Sequence, residues 1–554
     1  MPALRTALDT FRALPVGERV LVGLFGLIWI LSAPILFQAY RTLYPSPDQS
    51  IFDYIAWLGS QGLSPYRDSF EVNWPGKILI HRLAQLVFGN SPDAFRAFDF
   101  LVMQAAAIVA SALLWRQGLR VGAAVMLATY PAIYITSGHW MAGQRDIVAA
   151  QFLLIACYWL AGPRRSAAGL WAAGATMAFA VTIRPTNLAF LVGAILLEAV
   201  WPKASEPSAI KSTRAIAWIS VGAATTVIGF VLIGVAQGSL GAWYEQSVRY
   251  VLDCYASGPA PQSLLAVSFD LFARSWHWIA LGAIGGLVSW ALRTELNRHL
   301  LMLLIGAMAT FALSFIVQNK GFGYHLGGFL PVMVLLFAVL VDTGARAATN
   351  RKSVEAWIGP WHRIAQPALW LALASMLAIG ALGTIIKLRN NLVFDGAAPL
   401  SIAMTPPAAN GCESAAVADA AADFIAKTVP KNEFILPINC GYRAGYLSQR
   451  LPASRYATST AFGDSKSRCA IGERFMTRYA ADIRARQPTL ILVSSNQFDA
   501  ATNRLSPLPG HSKSEGRAAG VATNYHKIAQ FGQMLVFRRD VESSPFRRAI
   551  FDLH

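Results

Sequence analysis

Apolar residues run in long, nearly unbroken blocks as far as residue 388, and after that the blocks stop. Each is roughly 16 to 24 residues long, enough for a membrane helix. They predict about eleven spans, near 20–43, 96–115, 121–137, 146–161, 168–182, 187–201, 215–236, 276–292, 299–317, 326–342 and 367–387. An odd count puts the two termini on opposite sides of the membrane. Past Leu388 the pattern alternates between helical and strand periods. Glu413–Thr428 reads as an Ala-rich helix, while EFILPI (Glu433–Ile438), TLILVS (Thr489–Ser494) and QMLVFR (Gln533–Arg538) read as strands. Ser506–Gly520, rich in Pro, Gly, Ser and charge, reads as an exposed loop. The expected architecture is mainly α: a polytopic membrane domain over 1–387 and a soluble α/β domain over 388–554.

Charge placement orients the spans, because loops rich in Lys and Arg are retained in the cytoplasm. Alternate loops carry Arg116 and Arg120; Arg164 and Arg165; Lys203, Lys211 and Arg214; Arg293 and Arg298; and Arg346, Arg351, Lys352 and Arg363. These and the N-terminus, with Arg5, Arg12 and Arg19, are expected to be cytoplasmic. The opposite, periplasmic side then holds loop 44–95, the turn before Asp146, Arg184, loop 237–275, the Lys320–His325 turn and the C-terminal domain. Composition agrees with a membrane protein, at 55% hydrophobic and 14% charged residues and a mean hydropathy of +0.43. The net charge of +17 does not point to nucleic acid, since much of it lies in the cytoplasmic loops and no basic stripe interleaves with aromatics. Met1–Arg19 is too polar for a cleavable signal, so the first span reads as an uncleaved anchor. Cys157 falls in a span. Cys254, Cys412, Cys440 and Cys469 fall on the external side, where one bridge within the C-terminal domain is expected and no zinc spacing appears.

Three external segments carry candidate chemistry. The first, YPSPDQSIFDYIAWLGSQGLSPYRDSFEVNWPG (Tyr44–Gly76), gathers Asp48, Asp53, Asp68 and Glu71. Acids pressed against a membrane are costly unless paired or used. The second, GHWMAGQRD (Gly138–Asp146), brings Arg145 and Asp146 to the start of a helix, where the alternative role of Asp146 is a cap. The third, NKGFGYH (Asn319–His325), holds Lys320, Tyr324 and His325, whose alternative role is to anchor lipid headgroups. Together with Arg184 they offer carboxylates to activate a hydroxyl and cations to receive a phosphate leaving group. Asp68 and Glu71 rank second, because Pro65-Tyr66-Arg67-Asp68 also reads as a turn with an internal ion pair. Trp74 and Trp140 read first as interfacial-belt residues. Loop 237–275, with Trp243, Tyr244, Tyr250 and Tyr255, reads either as a cover over a cavity or as a static amphipathic segment.

The order of a first span, PDQSIFDYIAWLGSQGLSPYRD with NWPG, then GQRDIVAAQFLL, resembles the GT-C glycosyltransferases, in particular family 39-like relatives of protein mannosyltransferases and aminoarabinose transferases. The resemblance covers roughly residues 20–345. It implies inverting transfer of a sugar from a polyprenyl-phosphate donor to an envelope lipid, polysaccharide or protein on the periplasmic face of the bacterial inner membrane. Asp48 matches the family's catalytic acid and Asp146 its second external acid. YHLGGFLP resembles the turn that meets the lipid phosphate, which implicates Lys320, Tyr324 and His325. Gln49 stands where relatives often have a second acid, which weighs against a divalent cation, Mg or Mn, held at Asp48. An O-antigen ligase or polymerase-like enzyme, and a transporter or lipid flippase, are the alternatives. The early acidic segment argues against the first, and the ionisable groups at helix ends rather than mid-span argue against the second.

Overall fold

A computed structural model of the chain describes residues 9–41, 43, 45–162, 165–200, 209–255, 263, 265–266, 298–319, 322–349, 412, 414–438, 440–456, 469–495, 498–499, 504–505 and 525–540. The expected spans at 276–292 and 367–387, Lys320 and the Ser506–Gly520 loop lie outside the described residues. Two compact units emerge. One comprises residues 1–43, 96–228 and 264–404; the other comprises 44–95, 229–263 and 405–554.

The helices of the first unit are α1 (Val16–Arg41), α4 (Ala94–Arg116, which begins in the other unit), α5 (Arg120–Thr136), α6 (Arg145–Leu160), α7 (Ala167–Ile183) and α8 (Leu188–Val200). They continue with α9 (Ala209–Ala236, which ends in the other unit), α11 (Arg298–Gln318) and α12 (Phe329–Thr349). Nine of the eleven expected spans fall on these helices. Five of the helical segments are long and apolar enough to cross a membrane, those over Val16–Arg41, Ala94–Arg116, Ser212–Ala236, Arg298–Gln318 and Gly323–Arg346. α1 displays Leu27, Ile30, Leu31 and Ile35 on its surface, as expected of a helix facing lipid, whereas the apolar window of Gly323–Arg346 is 89% buried. The Gly/Ala-rich α7 is a helix because its small residues let α9 approach. A Cβ on Gly174 would meet the carbonyl oxygen of Ile219, and one on Gly222 that of Trp171.

Buried ionic groups pair near helix termini in this unit. Asp342 accepts a hydrogen bond from the Gly122 amide at 2.9 Å and pairs with Arg346 at 2.7 Å, while Arg346 donates to the Gly118 carbonyl. Glu198 pairs with Arg165 and with His299. Each of these charges is compensated where the helices turn.

The second unit contains α2 (Pro47–Ser60), α3 (Pro75–Phe88) and α10 (Leu240–Tyr244), which runs on as wider turns to Tyr255. Two helices thus run through the expected loop 44–95, and the described part of 237–275 is largely helical. The C-terminal residues of the same unit form α13 (Ala415–Thr428), β1 (Phe434–Ile438), α14 (Tyr442–Ser448), β2 (Leu451–Pro452), α15 (Ala470–Arg486), β3 (Leu490–Ser494), β4 (Phe498–Asp499), β5 (Arg504–Leu505), β6 (Tyr525–Phe531) and β7 (Met534–Arg539).

Five strands make one sheet in the order β2-β1-β3-β7-β6, parallel across the first three and antiparallel thereafter. Successive strand residues face opposite sides. Leu490 and Leu492 pack with Val417, Ala421 and Ile425 of α13, while Ile491 and Val493 pack with Ile471, Phe475, Tyr479 and Ile483 of α15. Phe70, Tyr250 and Cys254 join the α15 side of this core. Cys412 bonds to Cys440 within the C-terminal residues, and Cys254 bonds to Cys469.

Candidate active site

In the first unit, three stretches distant in sequence meet. They are the 137–144 turn running into α6, the break at Arg184 between α7 and α8, and the 3-10 turn Gly323–Gly328 ahead of α12. The approach needs a residue without a side chain: a Cβ on Gly327 would come within 3.3 Å of both Ile147 Cβ and Met141 Cγ. Tyr324 thereby stacks on Trp140, with centroids 5.9 Å apart and planes at 15°, and His325 stands edge-on to Tyr324 at 4.6 Å.

Asp146 sits in the first turn of α6, where the helix dipole favours an acid. Its Oδ1 lies 3.0 Å from Arg184 Nε, with side-chain exposures of only 5% and 10%. Arg145 interacts electrostatically with both members of this pair, and Tyr324 with Arg184. The pair is not saturated, since Nη2 of Arg184 and Oδ2 of Asp146 are buried without a hydrogen-bond partner among the described residues. The structure thus gathers Arg145, Asp146, Arg184, Tyr324 and His325 as one cluster.

A network that the sequence reading missed fixes the turn carrying this cluster. Asp99 accepts hydrogen bonds from Tyr40 at 2.5 Å and Tyr134 at 2.7 Å. Arg96 donates to the Tyr40 hydroxyl at 2.8 Å, to the Ala142 carbonyl at 2.9 Å and to the Leu43 carbonyl at 3.2 Å. The Gly143 amide donates to Tyr134. The signal was an Arg and an Asp three residues apart inside an apolar run, where neither can remain unpaired. His139, in the same turn, is pushed down to about 4 by burial and by the Arg96 charge.

In the second unit Asp48 lies in the first turn of α2, and the helix start explains its state. Ser46 is the N-cap and Gln49 completes a capping box. The cap duties thus fall on Ser46 and Gln49, and Asp48 makes no hydrogen bond or ion pair among the described residues. It is half-buried, whereas Phe52 through Leu58 are all buried. Asp53, also on α2, holds His81 Nδ1 at 2.7 Å, and Gln85 donates to the Asp53 carbonyl at 2.8 Å. His81 stacks on Phe95 at 3.9 Å, and Lys77 Nζ lies 4.1 Å over the same ring.

The two secondary acids are committed elsewhere. Asp68 pairs with Arg67 at 2.8 Å and accepts the Ser64 amide at 2.8 Å. Partial burial acts to raise its pKa, but these hydrogen bonds and the charges of Arg67 and Arg455 outweigh it and hold the carboxyl below its usual range. Glu71 accepts from the amide and side chain of Asn73 at 2.8 and 2.6 Å. Trp74 packs edge-on against Trp243 at 5.3 Å.

The sequence matches no protein-family model and no curated protein. Among solved structures, ArnT from Cupriavidus metallidurans bound to undecaprenyl phosphate is similar, with a TM-score of 0.55 at 12% identity over 94% of this chain and 99% of that one. Its apo form gives 0.53 at 12% identity over 93% and 97%. The chain shares the fold of ArnT. At this identity the likeness is one of fold, and it extends over nearly the whole length of both proteins. An oligosaccharyltransferase from Archaeoglobus fulgidus is a looser match, at TM-score 0.44 and 13% identity, with 87% of this chain and 69% of that chain covered.

Proposed function

We propose that this chain is an inverting glycosyltransferase that moves a sugar from a polyprenyl-phosphate donor to a cell-envelope lipid, polysaccharide or protein on the periplasmic face of a bacterial inner membrane. The observation that carries the reading is the buried Arg184 guanidinium. It meets Asp146 through Nε, its Nη2 has no hydrogen-bond partner among the described residues, and Arg145, Tyr324 and His325 stand in the same cluster. A buried cation with an open donor is suited to an anion, and a guanidinium suits a phosphate oxygen best. The GT-C fold supports the same class, and the positive loops support the orientation.

In this mechanism Asp48 takes the proton from the acceptor hydroxyl as its oxygen attacks the anomeric carbon. The bond from that carbon to the phosphate oxygen breaks, and its electron pair leaves with the polyprenyl phosphate. Arg184 and Arg145 stabilise the charge that develops there, with Tyr324 and His325 positioning the phosphate and Lys320 joining them. Asp146 holds Arg184 in place. The described residues around Asp48 do not form a divalent-ion site, so no step is routed through one. The Gln49 side chain is turned back to the Ser46 amide, and no group of three metal-binding side chains occurs among the described residues.

The test is binding of undecaprenyl phosphate to protein in nanodiscs. Replacing Arg184 by Gln should weaken binding about tenfold to a hundredfold, the range for a charge-assisted hydrogen bond. Equal affinity of the variant and the wild type would remove Arg184 from the phosphate site.

A further inference from the structure

The C-terminal α/β residues carry no catalytic motif, yet the second unit packs them directly against the helix that bears Asp48. Tyr54, two turns along α2 from Asp48, donates its hydroxyl to the Arg450 carbonyl at 2.6 Å, although the two residues are 396 positions apart. Tyr54, Trp57 and Leu58 form one buried apolar cluster with Tyr442 and Tyr446 of α14. Tyr446 in turn donates to the Ser91 carbonyl at 3.1 Å.

The contact leaves little slack. A Cβ on Gly445 would stand 3.0 Å from Tyr54 Cζ, 3.1 Å from its Oη and 3.2 Å from Ile435 Cδ1. Arg450 is itself fixed by donating to the carbonyls of Val429 at 2.8 Å and Ala426 at 3.1 Å. The segment 442–450 is thus held to α13 on one side and to α2 on the other. The opposite side of α2 is set by Asp53 on His81 and by Phe52 and Ile55 against Tyr66 and Ile78.

We propose that residues 442–450 are a positioning element for Asp48: the α/β residues fix the depth and rotation of α2 and so the place of its first-turn carboxylate. This rests on the reading of Asp48 as the base. Gly445 and Tyr54 are positioning residues and touch no substrate. A group held by packing loses rate steeply when displaced, of the order of a hundredfold for about 1 Å. A methyl that moves Tyr54 by a few tenths of an ångström should therefore lower turnover measurably without altering how the donor phosphate is held.

The experiment compares wild type, Gly445→Ala, Tyr54→Phe and the double variant as full-length protein in nanodiscs. Hydrogen exchange is read over 47–60, and kcat and KM are read with a polyprenyl-phosphate sugar. Gly445→Ala should speed exchange in 47–60 about tenfold and lower kcat about tenfold, with KM for the donor within about twofold. Tyr54→Phe removes the hydrogen bond to the Arg450 carbonyl and should likewise speed exchange in 47–60 and lower kcat, with donor KM within about twofold. The double variant acts on the same contact and should add less than about threefold to the larger single effect, a non-additivity that a general loss of stability would not give. Unchanged exchange in Gly445→Ala overturns the proposal, as do effects of the two single changes on kcat that simply multiply in the double variant. A wild type that turns over no donor counts against the catalytic reading of Asp48, and the exchange arm then decides the positioning claim alone.

Discussion

Breaking the Asp146–Arg184 pair should cost more than any surface change in this protein, and the cost should be strongly non-additive. The two groups are 3.0 Å apart and 5% and 10% exposed. At a separation of about 4 Å and an effective dielectric of about 20, two unit charges attract by about 4 kcal/mol. Removing either partner forfeits that attraction and leaves the other charge buried alone, which typically costs about 3–5 kcal/mol. Arg184→Gln and Asp146→Asn should therefore each destabilise by about 3 kcal/mol or more. The double variant, which buries no lone charge from this pair, should be no less stable than either single. Unfolding in nanodiscs, followed by tryptophan fluorescence, supplies the double-mutant cycle. Costs that simply add, with a coupling below about 0.5 kcal/mol, would show that the pair is not an interacting unit and would refute the reasoning.

Tyr40→Phe deprives both Asp99 and Arg96 of a buried hydrogen-bond partner, and unfolding should register about 2–3 kcal/mol; a cost below about 0.5 would contradict the network. His139 gives a pH signature. Its folded pKa, lowered to about 4, lies below the unfolded value of about 6.5, so the unfolded chain takes up a proton that the folded one refuses. Stability from this group is then complete above about pH 6.5, falls by roughly 2 kcal/mol on going to pH 5, and levels off below about pH 4. His139→Asn should flatten that slope. Loss of the Cys412–Cys440 bridge, which spans 28 residues, should lower the stability of the C-terminal residues by about 3–4 kcal/mol in Cys440→Ser. Reduction of the wild type, which also opens Cys254–Cys469, should lower stability at least as far.

What the sequence made legible follows from periodicity and length. Apolar runs located nine helices, with ends off by up to seven residues, because a long apolar block that is buried or faces lipid must satisfy its own backbone hydrogen bonds. The strands at Phe434–Ile438, Leu490–Ser494 and Met534–Arg539 were equally plain, since buried strands are apolar on both faces. The helical nature of the acidic segment was less visible. α2 and α3 each begin with Pro at the first helical position, a start signal that the surrounding Gly, Ser and Asn residues obscured. α15 was missed because its charged face, with Glu473, Arg474 and Arg478, interrupts an otherwise regular row of Ile471, Phe475, Tyr479 and Ile483. Of the candidate site, the residue types were readable, but most of their partners were not. The Arg67–Asp68 ion pair was legible because it is local to its turn, whereas nothing local says that Asp146 meets Arg184, a pairing set by tertiary contact.

The central claim is tested most directly by turnover. Full-length protein in nanodiscs is supplied with a panel of radiolabelled polyprenyl-phosphate sugars and envelope acceptors, and wild type is compared with Asp48→Asn. The account predicts sugar transfer by the wild type and loss of at least about a hundredfold in the variant, which should fold and bind undecaprenyl phosphate as before, in line with the removal of a general base. Equal transfer by both proteins would contradict the role of Asp48. Absence of transfer from every donor, in protein that still binds the lipid phosphate, would contradict the claim that this chain is a glycosyltransferase.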